Sequence, residues 1–91
     1  MPDTEQQRKS APTPSLRQLS CFKEVAIHRS FSRAAQALSM SQPALSSAIR
    51  ELETLLGTPL FDRSTHHVRL TSAGEAVRPH VEWMLNNFVQ G

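Results

Sequence analysis

Leu45, Ile49, Leu52 and Leu56 recur at offsets of four, three and four residues. At 100° per residue they fall in one narrow sector of an α-helix, so residues 41–56 must press one edge against a core and turn the other away. Ser41 offers an N-cap hydroxyl, Pro43 sits in the first turn where its missing N–H is harmless, and Gly57 supplies the left-handed residue that often follows a last turn. The wheel then places Pro43, Ser47, Arg50 and Thr54 opposite the stripe, with Gln42 and Ser46 beside them. Glu51 and Glu53 come later, so the first half of this face carries amide, hydroxyl and guanidinium groups and no acid. Such groups suit base edges and phosphates. Small polar residues on a helix face are nevertheless most often plain solvated surface, so the face gains meaning only from its neighbours.

The segment just before it supplies that meaning. Ser32 is a natural N-cap for a short helix whose Ala34, Ala35 and Leu38 give a narrow apolar face suited to close packing, and Ser39-Met40 interrupts it. A short helix, a turn of about three to four residues and a second helix with a polar start make residues 31–50 a helix-turn-helix. Upstream, Leu16, Leu19, Phe22 and Ala26, flanked by Val25, define a first amphipathic helix that opens at Ser15 and stops near Arg29-Ser30. Downstream, residues 60–63 and 68–71 form two short strand-like stretches around Ser64-Thr65-His66-His67, a small hairpin that must lean on the helices. Ser72 with Glu75 resembles a capping box for a long fourth helix, with a bend expected near Glu75 because Pro79 lies inside. Val77, Val81, Met84 or Leu85, and Phe88 mark a seam along it. That seam can complete the chain's own core, or face a partner where a helix of about 30 Å outruns the short helices beneath it.

Composition excludes several alternatives. With 91 residues there is material for one small core and none for a second domain with a catalytic cleft. Residues 1–14 hold too little apolar surface to order themselves and are expected to be a flexible tail. They lack the features of a secretory signal, and no apolar run approaches membrane-spanning length, so a soluble cytoplasmic protein is expected. Cys21 is the only cysteine, which excludes an internal disulfide and a cysteine-based zinc cluster. His28, His66, His67 and His80 have no ligand-like spacing, no glycine-rich elbow surrounds any serine, and neither a metal, a cofactor nor an enzyme activity is expected. The net charge of +2 permits nucleic-acid binding without arguing for it.

The run FSRAAQALSMSQPALSSAIRELETLLGTPLFDR, followed by VRLTSAG, resembles the amino-terminal domain of LysR-type transcriptional regulators from about Leu16 to the end of the fourth helix. That resemblance implies a mainly α, winged helix-turn-helix of three helices and a two-stranded wing, followed by a long linker helix that dimerises. It implies binding to partly palindromic, double-stranded promoter DNA, with helix 41–56 in the major groove and the wing near the minor groove. Matched by position, Gln42, Pro43, Ser46 and Ser47 fall on the family's base-reading set, and Ser32, Ser41, Arg50, Arg63 and Thr71 on places that hold phosphates. Arg63 and the His66-His67 tip would serve the wing, where Arg or His favours a narrow A·T minor groove. Family members usually continue into a larger effector-sensing domain and can form tetramers at full length. Two departures stand out: Ser39 occupies a turn position that often holds Gly, and Ser47 one that often holds a longer side chain.

The expected organisation is therefore a tail over 1–14, a winged helix-turn-helix over 15–71 with its wing at 60–71, and a linker helix over 72–91 in which Val77, Val81, Trp83, Leu85 and Phe88 mediate dimerisation. A rival reading makes the same fold a protein-docking module. It leaves the polar, acid-poor start of helix 41–56 without an account.

Overall fold

A computed structural model of the chain describes residues 13–64 and 67–90, the last three by backbone alone. Helix α1 spans Leu16–His28, and Ser15 begins it with a reciprocal box in which Ser15 Oγ accepts from the Gln18 N–H and Gln18 Oε1 accepts from the Ser15 N–H, each at 3.0 Å. Its face of Leu19, Cys21, Phe22, Val25 and Ala26 is buried, while Leu16 in the first turn is 42% exposed. Arg29 ends α1 in the left-handed region at φ 53°, its N–H donating to Val25 O at 2.8 Å.

Helix α2 (Phe31–Ala37) starts earlier than the sequence suggested. Ser30 caps it, accepting from the Arg33 N–H at 3.1 Å, and Ser32 lies inside the first turn. Starting at Ser30 brings the Phe31 ring edge-on to Phe61, centroids 6.0 Å apart, which capping at Ser32 would forgo. Ala34 and Ala35 are buried, and their lack of side-chain bulk lets the helix lie close to its neighbours. Ser39 then turns the chain at φ 55°, a conformation disfavoured by its Cβ. Helix α3 (Gln42–Leu56) follows, capped by Ser41 Oγ accepting from the Ala44 N–H at 3.2 Å and closed by Gly57 at φ 73°.

Leu45, Ala48, Ile49 and Leu52 of α3 enter the core. Leu56 does not: it is 42% exposed, because the last turn of α3 runs past the cover of the other helices and Leu60, fully buried, closes the core in its place. Strands β1 (Phe61–Asp62) and β2 (Arg69–Leu70) pair antiparallel, Phe61 opposite Leu70 and Asp62 opposite Arg69. The expected fold is the one found: three helices, a two-stranded wing and a long fourth helix. Helix α4 spans Ser72–Gln90 without interruption at Pro79.

Thr71, not Ser72, begins α4. Its hydroxyl accepts from the Gly74 N–H at 3.1 Å and donates to Pro59 O at 2.7 Å, and its carbonyl accepts from the Glu75 N–H at 2.9 Å. One residue thus caps the helix and ties it to the loop before the wing, a connection Ser72 is a position too late to make. Val81 and Leu85, at 3% and 7% exposure, turn inward and join the core, against which α4 packs on α1. The opposite side of α4 leaves Trp83 65% exposed. The tail expected over residues 1–14 lies, up to residue 12, outside the described residues.

Two substitutions test this backbone account in opposite directions. A Cβ on Gly74 would collide with Leu60 O and lie 2.8 Å from Leu70 Cδ2, so Gly74→Ala is expected to lower stability by about 1–3 kcal/mol. Ser39→Gly removes a left-handed penalty of about 1–2 kcal/mol and adds a glycine entropy cost of about 0.5–1 kcal/mol, for a net gain of up to about 1.5 kcal/mol. Urea unfolding checks both, with the midpoint moving at constant slope.

Candidate nucleic-acid interface

The first turns of α2 and α3 meet at the surface. Ser32 Oγ donates to Gln42 Oε1 at 3.3 Å, joining the position after the α2 start to the first residue of α3. Ser41 uses its oxygen as an acceptor for the cap, and its hydroxyl proton has no partner among the described residues. Gln42, Pro43 and Ser47 are exposed and Ser46 is half-buried. Between this start of α3 and the wing runs a groove lined by Phe31, Gln42, Ser46, Arg63 and Val68. On the other flank, Ser47, Arg50 and Thr54 share a shallow surface with Gln18 and Glu51.

Charge on this side is sorted by hydrogen bonding. Glu51 Oε1 accepts from Gln18 Nε2 at 3.1 Å, which holds that carboxylate toward α1. Glu53 bends to the wing: its Oε2 accepts from the Leu60 and Phe61 N–H groups at 2.8 and 3.3 Å, and its Oε1 lies 3.7 Å from Arg63 Nη2. The Arg63 guanidinium also lies over the Phe31 ring, 4.5 Å from the centroid, a cation–π contact that spreads it flat against α2. Asp62, at the wing, is held below the usual carboxylate range by the Ser64 hydroxyl at 2.6 Å and the Ser64 N–H at 3.0 Å. Glu53 is therefore occupied within the fold and Glu51 is tied to Gln18 at the surface, while Arg33, Arg50 and Arg69 are exposed and make no ion pair among the described residues.

The structure brings Gln42, Ser46 and Arg63 together along one groove, with Ser32 bonded to Gln42, while Ser47 and Arg50 line a separate surface and Ser41 and Pro43 lie exposed at the start of α3. Thr71 stands apart from them in duty, since its single hydroxyl proton goes to Pro59 O and its N–H to Leu60 O at 3.0 Å. No donor of Thr71 is left for a phosphate. His66 lies outside the described residues, as does the side chain of Phe88. Among the described residues no three His, Cys, Asp or Glu side chains gather around a common point that could hold a metal ion. The role of Glu53 was missed by sequence reasoning, which saw it only as part of a motif. Its partners are backbone N–H groups, which carry no side-chain signature, and the one available hint was an acid on a helix otherwise poor in free acids.

On the far side, Pro14, Leu16 and Leu19 line an apolar groove with Trp83, Met84 and Asn87. Met84 is 37% exposed, and the Trp83 carbonyl accepts from Asn87 Nδ2 at 2.8 Å. Val77 packs partly buried against the core, beside Val81 and Leu85.

Residues 16–75 match the family model described as a bacterial regulatory helix-turn-helix protein of the lysR family. The chain is 46% identical over 70 residues to the HTH-type transcriptional regulator HdfR of Salmonella typhimurium, which covers 77% of this chain and 25% of HdfR. Among solved structures, it superposes on the Vibrio fischeri regulator DarR in complex with DNA with a TM-score of 0.83 and 32% identity, over 87% of this chain and 27% of DarR. It superposes on the BenM DNA-binding domain bound to catB site 1 DNA with a TM-score of 0.80 and 36% identity, over 84% of this chain and 85% of that one. The chain thus spans about a quarter of the length of the curated relatives it matches.

The Glu53 bridge yields a direct test. Glu53→Ala would strand the Leu60 and Phe61 N–H groups and is expected to cost about 1–3 kcal/mol in urea unfolding. Glu53→Gln, which keeps an acceptor oxygen, is expected to cost less. Amide exchange at residues 60 and 61 should accelerate in the alanine variant ahead of the α1 amides.

Proposed function

The chain belongs to the LysR family of bacterial helix-turn-helix regulators, and from that membership we propose that these residues form a sequence-specific DNA-binding domain whose helix α3 enters the major groove. The observation that carries this reading is the start of α3. Its exposed side chains from Gln42 to Arg50 are neutral or basic, and the two carboxylates that follow are held by Gln18 and by the wing. An incoming phosphate backbone therefore meets no free acid at the end of the helix that approaches it. Two solved relatives of the same fold, DarR and the BenM DNA-binding domain, are complexes with DNA.

Within that reading, Gln42 and Ser46 face base edges, with Ser47 as a short partner and Pro43 packing against the groove wall. Arg50, Ser41 and Arg63 hold phosphates. Ser32 and Thr71 are withdrawn from that set, because each gives its hydroxyl proton to a neighbour within the fold. The wing lies beside the adjacent minor groove, where Arg63 and the 66–67 tip would meet a narrow A·T stretch.

Two copies are expected to bind together, through α4, and to present two α3 helices to successive major grooves about 34 Å apart or at a wider spacing on a partly palindromic site. The exposed side of α4 argues for Trp83 and Met84 as the contact, with Val77 at the margin. Val81 and Leu85 support that contact from beneath, since they are already buried in their own subunit. Effector sensing and any tetramer are assigned to regions outside the matched domain. No helix among the described residues is long and apolar enough to cross a membrane, and action on promoter DNA fits the cytoplasm. The relatives are transcriptional regulators, and no catalytic role is proposed.

Titration of the chain and its variants on a selected site and on a scrambled duplex tests the assignment. Gln42→Ala is expected to lose about 1–3 kcal/mol of discrimination at one base pair in each half-site. Arg50→Ala should weaken both duplexes alike and lower the salt slope by about one. Equal losses from both changes on both duplexes would contradict these roles. Trp83→Ala should raise the dimer dissociation constant by roughly thirtyfold or more in sedimentation, as loss of a central aromatic anchor does, while leaving the unfolding midpoint nearly unchanged.

A further inference from the structure

A glutamine amide offers a base two opposite chemistries, an oxygen that accepts and an NH2 that donates two hydrogen bonds. On a helix facing a major groove, a freely turning amide uses both at once on adenine, accepting from N6 and donating to N7. In this chain the amide of Gln42 does not turn freely. Ser32 Oγ donates to its Oε1 at 3.3 Å from the neighbouring helix. Gln42 is also the first residue of α3, where the positive end of the helix dipole attracts the partly negative amide oxygen. Both influences favour an orientation with the oxygen toward the protein, in which Nε2 is the group left for a ligand.

Resting on the reading of α3 as the major-groove helix, we propose that Ser32 is a specificity-determining residue that makes Gln42 a donor. Two outward N–H bonds fit a base edge that presents two acceptors, which in the major groove is the N7 and O6 pair of guanine. Thymine O4 offers one acceptor, cytosine N4 offers only a donor, and adenine loses the second half of its usual match. A hydroxyl has a single proton, so a Ser32 that orients Gln42 cannot at the same time donate to a phosphate. The bond is long for a hydroxyl donor, so its effect is a bias of several-fold and not a lock.

The test uses the chain on duplexes that carry each of the four base pairs in turn at the position where Gln42→Ala relaxes preference, with a fifth duplex holding 7-deazaguanine. The unsubstituted chain is expected to favour guanine there and to lose affinity on 7-deazaguanine. Ser32→Ala frees the amide and should shrink the guanine-over-adenine ratio by about fivefold, the worth of one hydrogen bond. Ser32→Thr keeps the hydroxyl and should restore the native order. Thermal melts confirm that both variants remain folded, as an exposed position allows. The proposal is overturned if Ser32→Ala leaves the order of the four pairs unchanged, or weakens all of them equally as loss of a phosphate contact would. If Gln42→Ala alters no base preference at any position, the major-groove reading itself fails and this inference falls with it.

Discussion

Leu45, Ile49 and Leu52 lose all contact with water between α1, α2 and the wing root, and because a helix advances 100° per residue, their burial dictates which side chains of α3 face outward. Gln42, Ser47 and Arg50 are presented as a set for that reason alone. No turn of α3 about its own axis is possible without exposing the apolar stripe, at about 1.5–3 kcal/mol for each side chain returned to water. The rigidity that the proposed base reading needs would thus come from the buried face of α3.

Hydrogen bonding then distributes charge around that fixed axis. Gln18 draws Glu51 toward α1, and Glu53 anchors the wing through two backbone N–H groups and the Arg63 side chain. A two-stranded ribbon this short has little stability of its own. Here it is held by Phe61 wedged between Phe22 and Phe31, by Glu53 at its first strand and by Thr71 at its last residue. Wing and α3 are consequently tied together, with a groove between them lined from Phe31 to Val68.

Much of this was legible in the sequence because periodicity reports a helix's own buried face. The stripe of α3, its Ser41 and Gly57 boundaries and the wing followed from local chemistry, while Ser39, left-handed in the structure, stood out only against the family's usual Gly. The errors have a common cause. Serine or threonine occurs at adjacent or alternate positions at two starts, and which one caps depends on tertiary partners: Phe61 favours Ser30 over Ser32, and Pro59 O favours Thr71 over Ser72. Periodicity also says nothing about how far a neighbouring element extends, so Leu56 and Leu16 were expected inside and lie partly exposed. In α4 the same ignorance left Val81 and Leu85 open between core and partner. The structure puts them in the core and leaves Trp83 and Met84 outside.

The apolar groove along α1 and α4 shares no lining residue with the groove at the first turn of α3, so the proposed pairing through it would leave both α3 helices available. In the proposed dimer, sequence preference is tied to geometry: each copy would supply one polar helix start, and the pairing of the copies would set the distance between them. Selection of bound duplexes from a random DNA pool tests this account most directly. It predicts enrichment of a partly palindromic sequence whose two half-sites are separated by about one helical turn or a wider fixed spacing. Recovery of bound DNA with no enriched sequence, retained by charge alone, would contradict it.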